Sequence, residues 1–200
     1  MCIRDSLLHA ALDTALPLLI DADGLNLLSA NPVLQDALRE RTAPTVLTPH
    51  PGEAGRLLGV GAREVQADRM ASIRALTERY GCVVVLKGAG SLIHAPAGRL
   101  WHNRTGNPGM AAPGMGDVLS GMIAALVAQG LTTEQAAVLG VYLHGAAGDA
   151  AVAAGMGPVG LTAGEVAQTA RRLLNRWVYS DVSGEVSHPT QKGGASSPRV

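Results

Sequence analysis

Three short stretches hold residue types that can do chemistry. In "PGMGDVLSGMIAAL", Pro113 to Leu126, an aspartate follows a glycine loop at the mouth of an apolar helical run. Glycine-rich turns that open a helix favour bound phosphate, because their bare N–H groups and the positive end of the helix dipole face the anion. A carboxylate in that turn has two readings. Asp117 is a helix cap, for which Asp is well suited, or it is a base working beside a bound phosphate. A cap needs one short polar side chain. The ten residues before it, "NPGMAAPGMG", carry almost no other side-chain chemistry, and a ligand lying along bare backbone explains that length better.

The second stretch is "CVVVLKGAGS". Four apolar residues, Val83 to Leu86, deliver Lys87 into Gly88, Ala89, Gly90 and Ser91. Such a lysine could pair with phosphate oxygens while the loop N–H groups bind others. A solvated lysine at a strand end is the equal alternative on composition. The third stretch is "TPHPGE". His50 sits between two prolines that stiffen the loop. It reads either as a substrate contact or as an exposed turn residue. Glu53 reads as a first-turn acid favoured by the helix dipole, or as a group holding a water on Mg²⁺. No G-x-x-x-x-G-K-[ST] occurs, and both "GAGSLI" and "GMGDVL" lack the third glycine of G-x-G-x-x-G. His144, in "AAVLGVYLHGAAGDAA", reads as a core histidine with a local partner. His94 and His102 flank a predicted hairpin without a third ligand, so no metal site is assigned.

The elements that must position these residues follow from periodicity. Leu18–Ile20 reads as a buried strand running into a loop at Asp21–Asp23. Val46 and Leu47 end a strand, and the Pro-His-Pro-Gly loop opens a helix at Glu53. Residues 62–80 have helical spacing, with Val65, Met70, Ile73 and Leu76 on one side. Val83–Leu86 reads as a strand covered on both faces, and "SLIHAPAGRLWHN" as two short strands around a Pro-Ala-Gly turn. Residues 117–129, 133–154 and 162–177 read as helices, the last two opened by the capping boxes Thr132-x-x-Gln135 and Thr162-x-x-Glu165. Alternating strands and helices predict an α/β fold with a largely parallel sheet. Ligands then bind at the carboxyl ends of strands, here the loops Asp21–Asp23, Thr48–Glu53 and Lys87–Ser91.

Composition narrows the class. At 200 residues and 47% hydrophobic, the chain suits one domain, 1–179, with a polar, Ser/Gly-rich tail over 180–200 that reads as disordered. Zero net charge and 2% aromatics argue against nucleic-acid and membrane-surface partners. No run of about 20 apolar residues predicts a transmembrane helix. Cys2 and Cys82 have neither metal nor redox spacing. With no signal-peptide pattern, they place the chain in a reducing, cytoplasmic setting.

"LTPHPGEAGRLLG", "VVVLKGAGSLI", "NPGMAAPGMGDVLSGMIAAL" and "AAVLGVYLHGAAGD" together resemble the ADP/ATP-dependent NAD(P)H-hydrate dehydratases, the carboxyl-terminal domain of the bifunctional nicotinamide-nucleotide repair enzymes. The resemblance runs from about Leu16 to about Leu174. It implies a ribokinase-like fold and a lyase of metabolite repair. The S epimer of hydrated NADH or NADPH is dehydrated, with ADP (or ATP) cleaved to AMP (or ADP) and phosphate and with Mg²⁺ assisting. It further implies Asp117 as the catalytic, substrate-binding aspartate and His50 as a second substrate-binding residue. Lys87, Gly88, Ala89, Gly90, Ser91 and Gly116 would then be the nucleotide-binding positions, and intact relatives would be homo-oligomers. Two departures stand out. The family's usual "MATGGTGD" reads "MAAPGMGD", with Ala112, Pro113 and Met115 where Thr, Gly and a hydroxyl residue are usual. The family also has roughly a hundred residues ahead of the strand at Leu18, an expectation that makes the fold incomplete at its N-terminus, and "MCIRDS" matches none of its pattern.

Overall fold

The computed structural model describes residues 3–179. In chain order the elements are α1 (Ile3–Leu12), β1 (Leu18–Ile20), α2 (Asp23–Ala30), α3 (Pro32–Glu40), β2 (Thr45–Leu47), α4 (Pro51–Leu58), α5 (Ala62–Ala67), α6 (Arg69–Tyr80), β3 (Val83–Leu86), β4 (Leu92–His94), β5 (Leu100–His102), α7 (Met115–Ala128), α8 (Thr133–Ala153) and α9 (Ala163–Tyr179). A single 3-10 turn, Pro108–Met110, precedes α7. The tail expected from Ser180 lies outside the described residues.

The five strands form one sheet in the order β1-β2-β3-β4-β5. Its first three strands are parallel, and the β4–β5 hairpin around the Pro-Ala-Gly turn adds two antiparallel pairings, so the sheet is mixed. The four residues of β3 are all buried and alternate between two cores. Val84 and Leu86 join Ile20, Leu47, Ile73 and Leu76 on one face. Val83 and Val85 join Val46, Ile93, Leu119 and Ile123 on the other. This two-sided burial is why β3 reads as an uninterrupted apolar run. A third cluster, built from Met115, Leu143, Ala147, Leu161 and Val166, ties α7, α8 and α9 together.

Helix ends follow their local chemistry. Asn31 accepts from Val33 N, and Pro32 begins α3. Thr132 and Gln135 form the predicted box at α8, and Thr162 and Glu165 do so at α9. The stretch 62–80, read from its spacing as one helical run, is two helices. Asp68 is extended and its side chain accepts from Ala71 N, which starts α6 afresh. The restart turns Met70 to solvent, 54% exposed, while Val65, Ile73 and Leu76 stay buried. The helix predicted from Glu53 starts two residues earlier, at Pro51. The 21-residue α8 is long and apolar enough, by length and composition alone, to cross a membrane, as the core helix of a soluble protein also can be. It lies half buried against α7, α9 and the sheet, as a core helix does.

Candidate active site

The carboxyl ends of β1, β2 and β3 bring three loops to one edge of the sheet. Lys87 leaves β3 there. Its Nζ donates to Asp21 Oδ1 at 2.6 Å and lies 3.9 Å from Glu53 Oε2. Its side chain is only 18% exposed, so it is not the solvated lysine that composition left open. Asp21 also accepts from Ser120 Oγ of α7 at 2.7 Å and from Ala22 N at 2.9 Å. Burial pushes the Asp21 carboxyl up, but the bonds from Lys87 and Ser120 outweigh it and hold the group below its usual range. Asp21 and Ser120 thus fasten β1, β3 and α7 at one point.

The N-terminus of α7 is open. Its cap position is Gly114, left-handed at φ +81° and without a side-chain bond. Asp117 is the third residue of the helix. Its side chain makes no hydrogen bond or ion pair with a described residue, so it is not the cap. The N–H groups of Gly116 and Asp117 likewise donate to no described residue. Gly116 has no side chain to keep the lysine off: a Cβ there would stand 3.4 Å from Lys87 Nζ. Opposite, the N–H groups of Gly88, Ala89, Gly90 and Ser91 donate to no described residue either. Gly88 and Gly90 have φ +144° and +65°, and a Cβ on Gly90 would stand 2.4 Å from His102 Nε2. Two helix-end and four loop N–H groups, with one ammonium beside them, are donors of the kind that can hold an anion.

These groups border a cavity of about 1090 Å³. His50, Lys87, Gly88, Ala89, Gly90, Ser91 and Gly116 all line it, as do Met110, Met115, Leu119 and Val141 on an apolar side. Asp117 is the one predicted site residue outside this lining. It is exposed, next to Gly116 on the first turn of α7. His50 is both a turn residue and a cavity residue. Its Nδ1 caps α4 by accepting from Gly52 N and Glu53 N, and Glu53 Oε2 accepts from His50 N at 2.8 Å. With Nδ1 so engaged, the neutral ring carries its proton on Nε2, 3.4 Å from Glu53 Oε1.

His144, read as a core histidine with a local partner, has a backbone partner in Met115 of α7. It lines the cavity, and its Nε2 is buried without a partner among the described residues. Burial lowers its pKa to about 4, against a backbone hydrogen bond with Met115 that raises it. Cys82 is free and buried, with its thiol pushed up to about 12 by desolvation. Sequence reasoning marked the Asp21–Asp23 loop but gave Asp21 no role. It also missed Ser120, and Asp149, whose carboxylate accepts from Gly106 N at 2.8 Å and Asn107 Nδ2 at 3.0 Å. No local motif marks them, because each meets its partner across the fold.

Parallel strands that end in a lysine-bearing glycine loop, facing an uncapped helix across one cavity, define an α/β domain of the ribokinase-like class. The profile of the NAD(P)H-hydrate dehydratase family matches residues 3–172, and the chain belongs to that family. The match begins at Ile3, so α1 falls inside it and the resemblance extends forward from Leu16. The chain is 46% identical over 170 residues to the bifunctional NAD(P)H-hydrate repair enzyme of Coxiella burnetii, covering 85% of this chain and 33% of that one. It is 44% identical over 160 residues to the ADP-dependent (S)-NAD(P)H-hydrate dehydratase of Neisseria meningitidis, covering 80% and 54%. The ADP/ATP-dependent NAD(P)H-hydrate dehydratase from Bacillus subtilis, co-crystallised with ATP/Mg²⁺, superposes with a TM-score of 0.67 at 33% identity, covering 80% of this chain and 55% of that one. The chain therefore spans between a third and about half of these relatives' lengths.

Proposed function

We propose that this domain dehydrates the S epimer of hydrated NADH or NADPH at the expense of ADP, returning the intact cofactor with AMP and phosphate. The observation that carries the reading is the cavity in which the Lys87–Ser91 loop faces the open N-terminus of α7, with His50 at its rim. Phosphate oxygens would lie among the free N–H groups and Lys87 Nζ. His50 Nε2–H would donate to the hydrate. Asp117, on the first turn of α7, would take the proton from the hydrate's hydroxyl as that oxygen bonds to the terminal phosphorus and AMP departs. The C–O bond of the resulting phosphate ester would then break, with inorganic phosphate leaving with the bonding pair. Loss of a proton from the neighbouring carbon restores the double bond.

Mg²⁺ enters this reading as part of the nucleotide substrate. The carboxylates nearest Lys87 are poorly placed as resident ligands. Both oxygens of Asp21 accept bonds within the protein, and Glu53 Oε2 accepts from His50 N. A hard cation held by phosphate oxygens and waters needs no more than that.

The test is a product assay with NADHX and ADP, carried out on the chain and on a longer protein containing it. Reappearance of NADH absorbance with stoichiometric AMP and phosphate is the expected result. A stable phosphorylated product would instead mark a small-molecule kinase of the same fold, and no turnover with retained nucleotide binding would mark a binding fragment.

A further inference from the structure

Arg69, the first residue of α6, lies behind the glycine loop rather than in the cavity. Its Nη1 donates to Ala89 O at 2.7 Å, and its Nη2 to Leu86 O at 3.0 Å and Lys87 O at 3.4 Å. Its Nε is buried without a partner, and no acidic side chain among the described residues pairs with it. Desolvation accordingly lowers its pKa. Gly88 makes the approach possible: a Cβ there would stand 3.2 Å from Nη2. A half-buried guanidinium held only by carbonyls is unusual, because arginines placed this way normally meet a carboxylate.

The loop explains the arrangement. A peptide group is rigid, so turning its carbonyl one way turns its N–H the other. Arg69 draws the carbonyls of residues 86, 87 and 89 backwards. The N–H of Gly88 and that of Gly90 belong to the same peptide units as the carbonyls of Lys87 and Ala89, and neither donates to a described residue. Both residues line the cavity. We infer that Arg69 is the positioning residue of the phosphate loop: it orients the Gly88 and Gly90 amides toward the cavity and supplies an unneutralised positive charge behind them for a diphosphate. The inference rests on the reading that this loop holds a nucleotide's phosphates. It adds a residue outside the cavity on which that binding depends.

The test titrates inorganic pyrophosphate, ADP and adenosine into the whole chain and into R69A and R69K, with melting temperature measured alongside. In R69A, pyrophosphate and ADP should weaken about tenfold or more, as expected for lost charge-assisted hydrogen bonds, while adenosine stays within about twofold. R69K keeps the charge but cannot span three carbonyls, so a loss of about threefold or more is expected there. A merely structural Arg69 would lower the melting temperature and leave the phosphate affinities of folded variants unchanged, which overturns the inference. If R69A does not fold, R69K decides, and wild-type pyrophosphate affinity in it overturns the inference. Pyrophosphate binding that depends on Arg69, without ADP binding by the wild type, would remove the nucleotide reading and leave this inference standing. A wild type that binds neither probe overturns both.

Discussion

Asp117 and Lys87 are both singled out by the sequence, and the structure treats them differently. Asp117 caps nothing and pairs with nothing among the described residues, so no local structural bond accounts for a carboxylate there. Asp117→Asn should lower turnover by about 10²–10⁴ with ADP affinity retained, as expected for loss of a positioned general base. Single-turnover kinetics in the longer protein measures this, and near wild-type kcat would leave the carboxylate without a catalytic role. Lys87 is held beside Gly116 by Asp21. Lys87→Ala should weaken ADP more than AMP, since only ADP has a second phosphate to reach the ammonium. Calorimetry that finds equal losses would place the lysine elsewhere. His144 gives a pH signature. Its folded pKa, about 4, lies below the ordinary value near 6.5. Between the two the unfolded chain binds more protons, so stability should fall as pH drops from about 6.5 toward 4 and level off below. His144→Gln should flatten that part of the melting-temperature profile, and an unchanged slope would mean that other groups set it.

At the scale of elements, α8 seats the segment before α7 that lines much of the cavity. Its glycines let the 105–110 segment lie flat against it. A Cβ on Gly145 would stand 2.2 Å from Thr105 Oγ1 and 2.7 Å from the Thr105 carbonyl carbon, and one on Gly148 would stand 2.3 Å from Met110 Sδ. Asp149 then holds Gly106 and Asn107 in place. Gly145→Ala meets backbone that cannot step aside, so it should destabilise by about 1–3 kcal/mol, the usual cost of overpacking. Gly121 of α7 has open space around its Cβ position. Gly121→Ala should therefore stabilise by about 0.5–1 kcal/mol through helix propensity alone. Paired denaturation curves check both signs. Met115, where the family usually has a hydroxyl, is 5% exposed and packs with Leu143 and Leu161 in the α7–α8–α9 core.

At the scale of the molecule, the sheet ends on β1, a parallel edge strand of three residues. Nearby α1 and the turn after it expose Ile3, Leu7 and Leu16 at 87%, 72% and 69%. Open strand edges beside apolar surface favour association. The chain should therefore self-associate with rising concentration, as followed by sedimentation, and a double variant with Leu7→Glu and Leu16→Glu should shift it toward monomer. A wild-type monomer across micromolar to millimolar concentrations would contradict this.

The strands at 18–20 and 83–86, the hairpin, the boxes at Thr132 and Thr162 and the glycine loops were legible because each depends on neighbours a few residues away. Local periodicity, capping and turn chemistry act over that range. The split at Asp68 was less so, since a cap inside a helical pattern interrupts a period that otherwise continues. Residues 24–40 gave no reading from the sequence, and with Asp23, read as loop, they fold as α2 and α3 against the first core. By itself the sequence determined the class of fold, the loops that could hold phosphate and the family pattern they belong to. Only the tertiary structure decided what surrounds Lys87. Asp21 lies 66 residues from the lysine and 99 from Ser120, and Arg69 lies 20 from Ala89. Those charges find each other because β1, β2 and β3 end at the same edge of the sheet, a proximity that no local pattern encodes.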